Sequence, residues 1–301
     1  MNMNIFSIKT LEQKLGIFHW NIGFIESSLN MILNSSSYRL PIQWLQHPYR
    51  DRFFADPFIL KATDDIIEVL VEEFFYDKWK GNISLLTVSR KNYKLINRKT
   101  VLEQETHLSF PYIYKEGNQT YVIPENSQSG SLSIYKYNYN SQILENPQIM
   151  IQAPIVDPVI IKVCDLYYLL CTSLDFDKDK DLLLYYSEKL TGPYKPFLGN
   201  PMKQDITSAR PGGGFYNLDS NYYRCTQNSK TGYGASLNIC KVESIEKNRF
   251  EEEKTSCIMP DSKYKYGLHT LDYKDGICVV DGLKYIYSPM LKIKRKLSFF
   301  K

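Results

Sequence analysis

Three residues with acid–base or anion-binding chemistry stand directly before a proline inside apolar segments. They are Asp56 in Ala55-Asp56-Pro57-Phe58-Ile59, Asp157 in Val156-Asp157-Pro158-Val159-Ile160, and Arg210 in Ala209-Arg210-Pro211-Gly212-Gly213. Phe110 holds the same place in Ser109-Phe110-Pro111-Tyr112-Ile113, and His269 holds it in Gly267-Leu268-His269-Thr270-Leu271, without the proline. Two aspartates brought together could act as base and acid, or could position a substrate. Arginine and histidine beside them would hold phosphate or carboxylate. Charges in apolar strands are costly unless they pair or bind something. The bland alternative is an Asp–Arg pair that only closes a channel.

The elements that must position these residues are strands. The five positions are 54, 47, 53 and 59 residues apart, and each is followed by a strongly apolar strand such as Ile66–Phe74 or Leu166–Cys171. Period-2 alternation and turn signals such as Asp275-Gly276 mark one or two further strands per unit. Five units of about four strands, at the ~40–50-residue period of propeller blades, predict an all-β, five-bladed β-propeller. Two unrelated β-sandwiches would not explain why the step recurs. Residues 51–290 would form the propeller. Residues 1–50 would precede the first blade and supply a closing strand, with Asn30–Ser37 an exposed loop, and residues 291–301 would be a basic-aromatic tail.

In such a fold the first strand of each blade lines the central channel, so the five positions would point near its axis. His47, Arg50, Asp51, Arg52 and His107 flank the ring, and Glu125 ends an Ile-Pro-Glu strand. Glu72 and Glu73 are adjacent in an apolar strand, so only one of them can face the channel. Gly212, Gly213 and Gly214 would permit close backbone approach to a ligand, although a phosphate loop would need a helix and a lysine.

Composition narrows the classes. The chain has 301 residues, 43% hydrophobic and 14% aromatic, which excludes disorder and coiled coils. A net charge of +4 without a basic stripe argues against nucleic acid. The 24 tyrosines suit β structure and sugar-facing surfaces. The six cysteines form no CxxC and have no histidine at metal spacing, so neither a metal site nor a cofactor is expected. Free thiols, no leader-like N-terminus and no apolar run of 18 residues together predict a cytoplasmic protein. The tail from Leu291 to Lys301 mixes cations with Leu, Ile and Phe; its alternatives are a solvated end and a peripheral contact with an anionic membrane.

The two Asp-Pro steps, at Asp56 and in Val156-Asp157-Pro158-Val159, resemble glycoside hydrolase family 43 and its five-bladed relatives. A second resemblance covers nearly the whole chain. Trp20-Asn-Ile-Gly23, Phe54-Ala-Asp-Pro-Phe58, Val71-Glu-Glu-Phe74, His107-Leu-Ser-Phe-Pro111, Ile123-Pro-Glu125, Val156-Asp-Pro158, Ser208-Ala-Arg-Pro-Gly212 and Gly267-Leu-His269 resemble the N-terminal propeller domain of plant glucosamine inositolphosphorylceramide transferases. Similar bacterial domains are associated with surface-polysaccharide biosynthesis. The resemblance therefore implies a carbohydrate or nucleotide-sugar substrate, a separate glycan-assembly enzyme as partner, and a channel cation near His269 as a feature of some relatives. The chain departs from the hydrolase pattern where a general-acid Glu would fall. It has Arg210, which cannot donate a proton near neutral pH.

Three functions remain open. In a glycan-assembly enzyme that transfers a sugar from an activated phosphate donor, Asp56 would be the base and Asp157 would position substrate. Arg210 and His269 would hold the donor phosphate, with Arg52 nearby. In a family 43-like glycosidase, Glu125 or Glu73 would be the acid. His107 would flank substrate in either case. A non-catalytic glycan-binding propeller is the third.

Overall fold

The computed structural model describes residues 11–34, 41–247 and 249–298. β1 (Ile17–Glu26) leads through the short helix α1 (Leu29–Asn34) to β2 (Gln43–Trp44). A first blade follows: β3 (Arg52–Ala62), β4 (Ile66–Phe75), β5 (Lys80–Ser89) and β6 (Leu95–Leu102). β7 (Ser109–Glu116), β8 (Gln119–Glu125), β9 (Leu132–Asn138) and β10 (Ile143–Ile151) make the second. The third contains β11 (Ile155–Val163), β12 (Leu166–Ser173), β13 (Asp181–Ser187), and the short β14 (Lys195–Pro196) and β15 (Lys203–Gln204). β16 (Pro211–Leu218), β17 (Asn221–Asn228), β18 (Ser236–Glu246) and β19 (Arg249–Ile258) make the fourth. The fifth joins β20 (Leu271–Lys274) and β21 (Ile277–Ile286) to β1 and β2. The fold is the expected all-β, five-bladed propeller.

The last blade is assembled from both ends of the chain. β1 pairs with β21 without interruption from Ile17↔Ile286 to Glu26↔Ile277. This leaves no open edge where the ring would otherwise begin. The expected loop at Asn30–Ser37 is corrected over its described part. Asn30 to Asn34 are helical, and Ile32 and Leu33 are fully buried against the Ile239 and Ile258 side of the fourth blade. Ser35–Ser37 lie outside the described residues. A C-terminal helix, α2 (Pro289–Ser298), follows β21 and buries Leu291 in the cluster around Trp20 and Phe53. Phe299, Phe300 and Lys301 lie outside the described residues. No helix among the described residues is long and apolar enough to cross a membrane.

The recurring x-Pro step is a β-bulge. Proline has no N–H for the ladder, so pairing slips by a residue there. Register jumps between Ala55↔Glu72 and Phe58↔Leu70, between Ser109↔Glu125 and Tyr112↔Ile123, and between Val156↔Thr172 and Val159↔Leu170. The residue before proline is left-handed in all three: Asp56 at φ 49°, Phe110 at 42° and Asp157 at 47°. That conformation costs about 1–2 kcal/mol for a residue with a Cβ. Each freed N–H is recovered by a carboxylate: Asp56 N–H donates to Asp281 Oδ2 (3.1 Å), Phe110 N–H to Asp56 Oδ2 (3.2 Å), and Asp157 N–H to Glu125 Oε2 (3.2 Å). The acids of one blade therefore hold the bulge of the next.

The fourth blade solves the same problem with glycine. Gly213 has φ 144°, and a Cβ there would lie 2.0 Å from Leu271 O, where β16 bridges to β20. The glycine run thus admits a neighbouring strand rather than a ligand. Tyrosine tips also join blades: Tyr112 donates to Ile160 O (2.8 Å) and Tyr216 to Leu271 O (3.0 Å). Phe110 does not face the channel; it packs edge-on against Phe58 at 4.9 Å in the core. Each such buried ring contributes about 1.5–3 kcal/mol.

Candidate active site in the axial cavity

A cavity of about 430 Å³ opens along the propeller axis. That is within the usual range for small-molecule sites, about 300–1,000 Å³. Asp56, Glu72, His107, Glu125, Asp157, Arg210 and His269 line it, with Lys178 and the rings of Phe18, Trp20, Phe53, Phe74 and Tyr233.

On one wall, Asp56 Oδ1 accepts from the Thr270 hydroxyl (2.8 Å) and lies 3.4 Å from His269 Nε2. His269 Nδ1 lies 2.6 Å from Asp281 Oδ2, and Asp281 Oδ1 accepts the N–H groups of His269 (2.9 Å) and Thr270 (3.0 Å). Burial pushes the Asp56 carboxyl up to about 6, with His269 opposing and the Asp157 and Asp281 charges adding to the rise. Burial works against a charged His269, but Asp281 and Asp56 outweigh it and the imidazole sits above its usual value. Trp20 stacks on that imidazole at 4.1 Å.

On the opposite wall, Arg210 Nε donates to Asp157 Oδ2 (2.6 Å), which also accepts from Gln227 Nε2 (2.7 Å). Arg210 Nη1 donates to Asp179 (2.9 Å), and the guanidinium lies over the Tyr233 ring at 4.9 Å. Burial pushes Asp157 up, Arg210 pulls it down, and the Glu125 charge adds to the rise.

Glu72 and Glu125 occupy equivalent places in consecutive blades. Each is on the second strand, paired with the residue just before the bulge: Ala55↔Glu72 and Ser109↔Glu125. Burial, and then the charges of Asp56 and Glu125, hold Glu72 well above the usual carboxylate range. His107 Nδ1 accepts the Gly81 N–H (2.9 Å), leaving Nε2 at 3.5 Å from Glu72. Burial, then Lys80, lowers His107 to about 4, so it is a neutral donor toward Glu72.

Asp56, Asp157, Glu125, Arg210, His269 and His107 are therefore brought together. Glu73 and Arg52 are not. Alternation along β4 turns Glu72 to the axis and Glu73 the other way. There Glu73 is fully buried, accepting from Arg52 Nη1 (2.8 Å), Ser84 (2.6 Å) and Arg98 Nε (2.7 Å). Arg52 is occupied by Glu73 and by Asp51 (2.7 Å). Both leave the candidate site as a correction. Sequence reasoning missed Asp281, Thr270, Gln227, Tyr233 and Lys178. Asp281 carried a usable signal, an acid inside the apolar Val279-Val280-Asp281-Gly282.

Asp56, His269 and Asp281 each offer a ligand atom, all within 4.8 Å of one another. Their carboxylate oxygens already accept N–H or O–H donors, and His269, held above its usual value by Asp281 and Asp56, would when protonated offset one of the two carboxylate charges. The three fit a divalent cation only with His269 deprotonated.

The model of the family "Glucosamine inositolphosphorylceramide transferase 1, N-terminal" matches residues 43–270. Among curated proteins, glucosamine inositolphosphorylceramide transferase 1 of Arabidopsis thaliana is 26% identical over 205 residues, covering 66% of this chain and 27% of the relative. The protein of the same name from Oryza sativa subsp. japonica is 24% identical over 209 residues, covering 68% and 28%. The chain thus spans about a quarter of the length of these relatives. Among solved structures, a thermostable family-43 glycoside hydrolase superposes with TM-score 0.51 at 14% identity, covering 66% of this chain and 74% of that one. An α-L-arabinofuranosidase from Podospora anserina superposes with TM-score 0.53 at 12% identity, covering 68% and 69%. The axial bulges, the acids and the family match agree: the chain belongs to the glucosamine inositolphosphorylceramide transferase N-terminal family, built on a family 43-like five-bladed propeller.

Proposed function

We propose that this domain acts on carbohydrate in glycan assembly, holding a sugar in the axial cavity and transferring it from an activated phosphate donor. The observation that carries the reading is the axial cavity, whose wall sets the buried Asp56, its carboxyl pushed up to about 6, beside the cations Lys178 and Arg210 and a set of aromatic rings. Asp56 would take the proton of the acceptor hydroxyl. Lys178, with no ion pair among the described residues, would meet the donor phosphate first, and Arg210 would follow on exchange of Asp179. Asp157 would hold Arg210 in place, and Glu125 would hold the Asp157 backbone.

The plant relatives are named glucosamine inositolphosphorylceramide transferase, and that name supports a carbohydrate reading. A separate glycan-assembly enzyme as partner belongs to the proposal. So does peripheral contact with an anionic membrane at its cytoplasmic face through α2, whose Met290 and Arg295 are exposed. The six cysteines are unpaired.

A hydrolytic reading is favoured by one observation. Glu72, which burial holds well above the usual carboxylate range, would supply the acid that the Arg210 step lacks, with Asp56 on the adjacent strand as the base. The test is a panel of nucleotide sugars and neutral oligosaccharides, scored for binding, transfer and hydrolysis. A nucleotide sugar that binds and is turned over to a new glycoside, with loss of both in Arg210→Ala, supports transfer. Release of free sugar from oligosaccharides alone supports hydrolysis. Binding without turnover of any of them rejects both.

A further inference from the structure

We propose a second sugar subsite beside the axial cavity, in the groove between the fifth blade and the stretch at residues 11–15. This deepens the carbohydrate reading and rests on it. The groove encloses about 230 Å³ and is lined by Gln13, Phe18, Trp20, Tyr233, Tyr266 and Tyr285, among others. Phe18, Trp20 and Tyr233 line the axial cavity as well, so the two spaces share one wall.

That wall is held in place. Trp20 stacks on His269 at 4.1 Å, and Tyr233 meets Trp20 edge-on at 6.3 Å and His269 at 5.2 Å. Gly267 keeps it tight, since a Cβ there would come within 3.0 Å of Trp20 Cη2. Across the groove, Tyr266 and Tyr285 meet edge-to-face at 5.1 Å, and the Tyr285 hydroxyl bonds the Gln13 side chain. The rim stays open at Gly232, where a Cβ would meet nothing within 4 Å.

The chemistry of the lining selects the ligand. The axial cavity carries the acids and cations. The groove residues are aromatic, aliphatic or amide, and none is charged at neutral pH. A pyranose presents an apolar C–H face and a rim of hydroxyls. Tyrosine rings with polar tips and a glutamine amide answer both. A phosphate would find no cation in the groove lining. The groove therefore takes the neutral sugar next to the one held in the cavity, and the ligand is at least a disaccharide.

The test is titration calorimetry on the full chain with glucose, cellobiose and cellotriose, and with N-acetylglucosamine and its β-1,4-linked dimer and trimer. In one series the dimer binds about tenfold more tightly than the monomer, about 1.4 kcal/mol. Tyr285→Ala removes that gain and leaves the monomer affinity alone. Gln13→Ala, at an exposed position, removes part of it and serves if Tyr285→Ala unfolds. Equal affinity for monomer and dimer overturns the subsite while leaving the cavity reading standing. Displacement of the dimer by uridine, with the monomer still bound, assigns the groove to a nucleoside and also overturns it. No binding of any saccharide overturns both readings together.

Discussion

Arg210 donates from Nε to Asp157 at 2.6 Å across the junction of the third and fourth blades. Both side chains are buried, and Gln227 also donates to that carboxylate. Breaking a buried pair by removing one partner leaves an uncompensated charge, at about 3–5 kcal/mol. Arg210→Ala is therefore expected to lower the melting temperature by several degrees as well as weakening anion binding. Arg210→Lys, which cannot reproduce the fork to Asp157 and Asp179, falls between. Thermal unfolding of the three proteins checks this. An Arg210→Ala protein as stable as the parent would show that the pair does no structural work.

Asp56 is expected to set the acid limb of activity. A base works only when ionised, so turnover falls as the pH drops through about 6. Asp56→Asn keeps an oxygen for the Thr270 hydroxyl, removes the base, and lowers turnover about 10²–10⁴-fold. Sugar affinity changes little. A pH–rate profile and a binding isotherm on the same variant separate this from misfolding. Unchanged turnover would remove Asp56 from the chemistry.

Glu72 is expected to tolerate replacement by an uncharged amide in the fold but not in the chemistry. Gln has the shape of the protonated carboxyl, so Glu72→Gln leaves the melting temperature within a degree or two of the parent. If Glu72 is the acid, turnover of substrates with poor leaving groups drops most, and those with good leaving groups are spared. A large loss of stability would instead mean that Glu72 is ionised and paired with His107.

His107 gives the fold a pH dependence of definite sign. An unfolded histidine takes its proton near 6.5, but His107 takes one only near 4. Between those values the unfolded chain binds the extra proton, so the stability His107 contributes is complete above pH 6.5 and is lost as pH falls toward 4. The full loss is up to about 3 kcal/mol. His107→Asn can still accept the Gly81 N–H and cannot titrate. Urea midpoints at pH 7 and 4.5 should therefore drop more for the parent than for the variant, and equal drops would reject the assignment.

The propeller was legible in the sequence because the cause of its repeat is local. A proline without an N–H interrupts the ladder at the same step in four strands, and the spacing of those steps, with His269 as the fifth, counts the blades. Asp56 and Asp157 were legible for the same reason, since each sits at its own bulge. What tertiary structure decided is which groups meet. Alternation allowed Glu72 or Glu73 to face the axis, and the choice fell to Arg52 and Arg98, which draw Glu73 to the far side. Asp281 reaches Asp56 only because β21 belongs to a blade closed by β1, from the other end of the chain. Trp20 reaches His269 through the same closure. No local pattern encodes such contacts. They arise when the ring shuts, and burial then sets the protonation of the acids inside it.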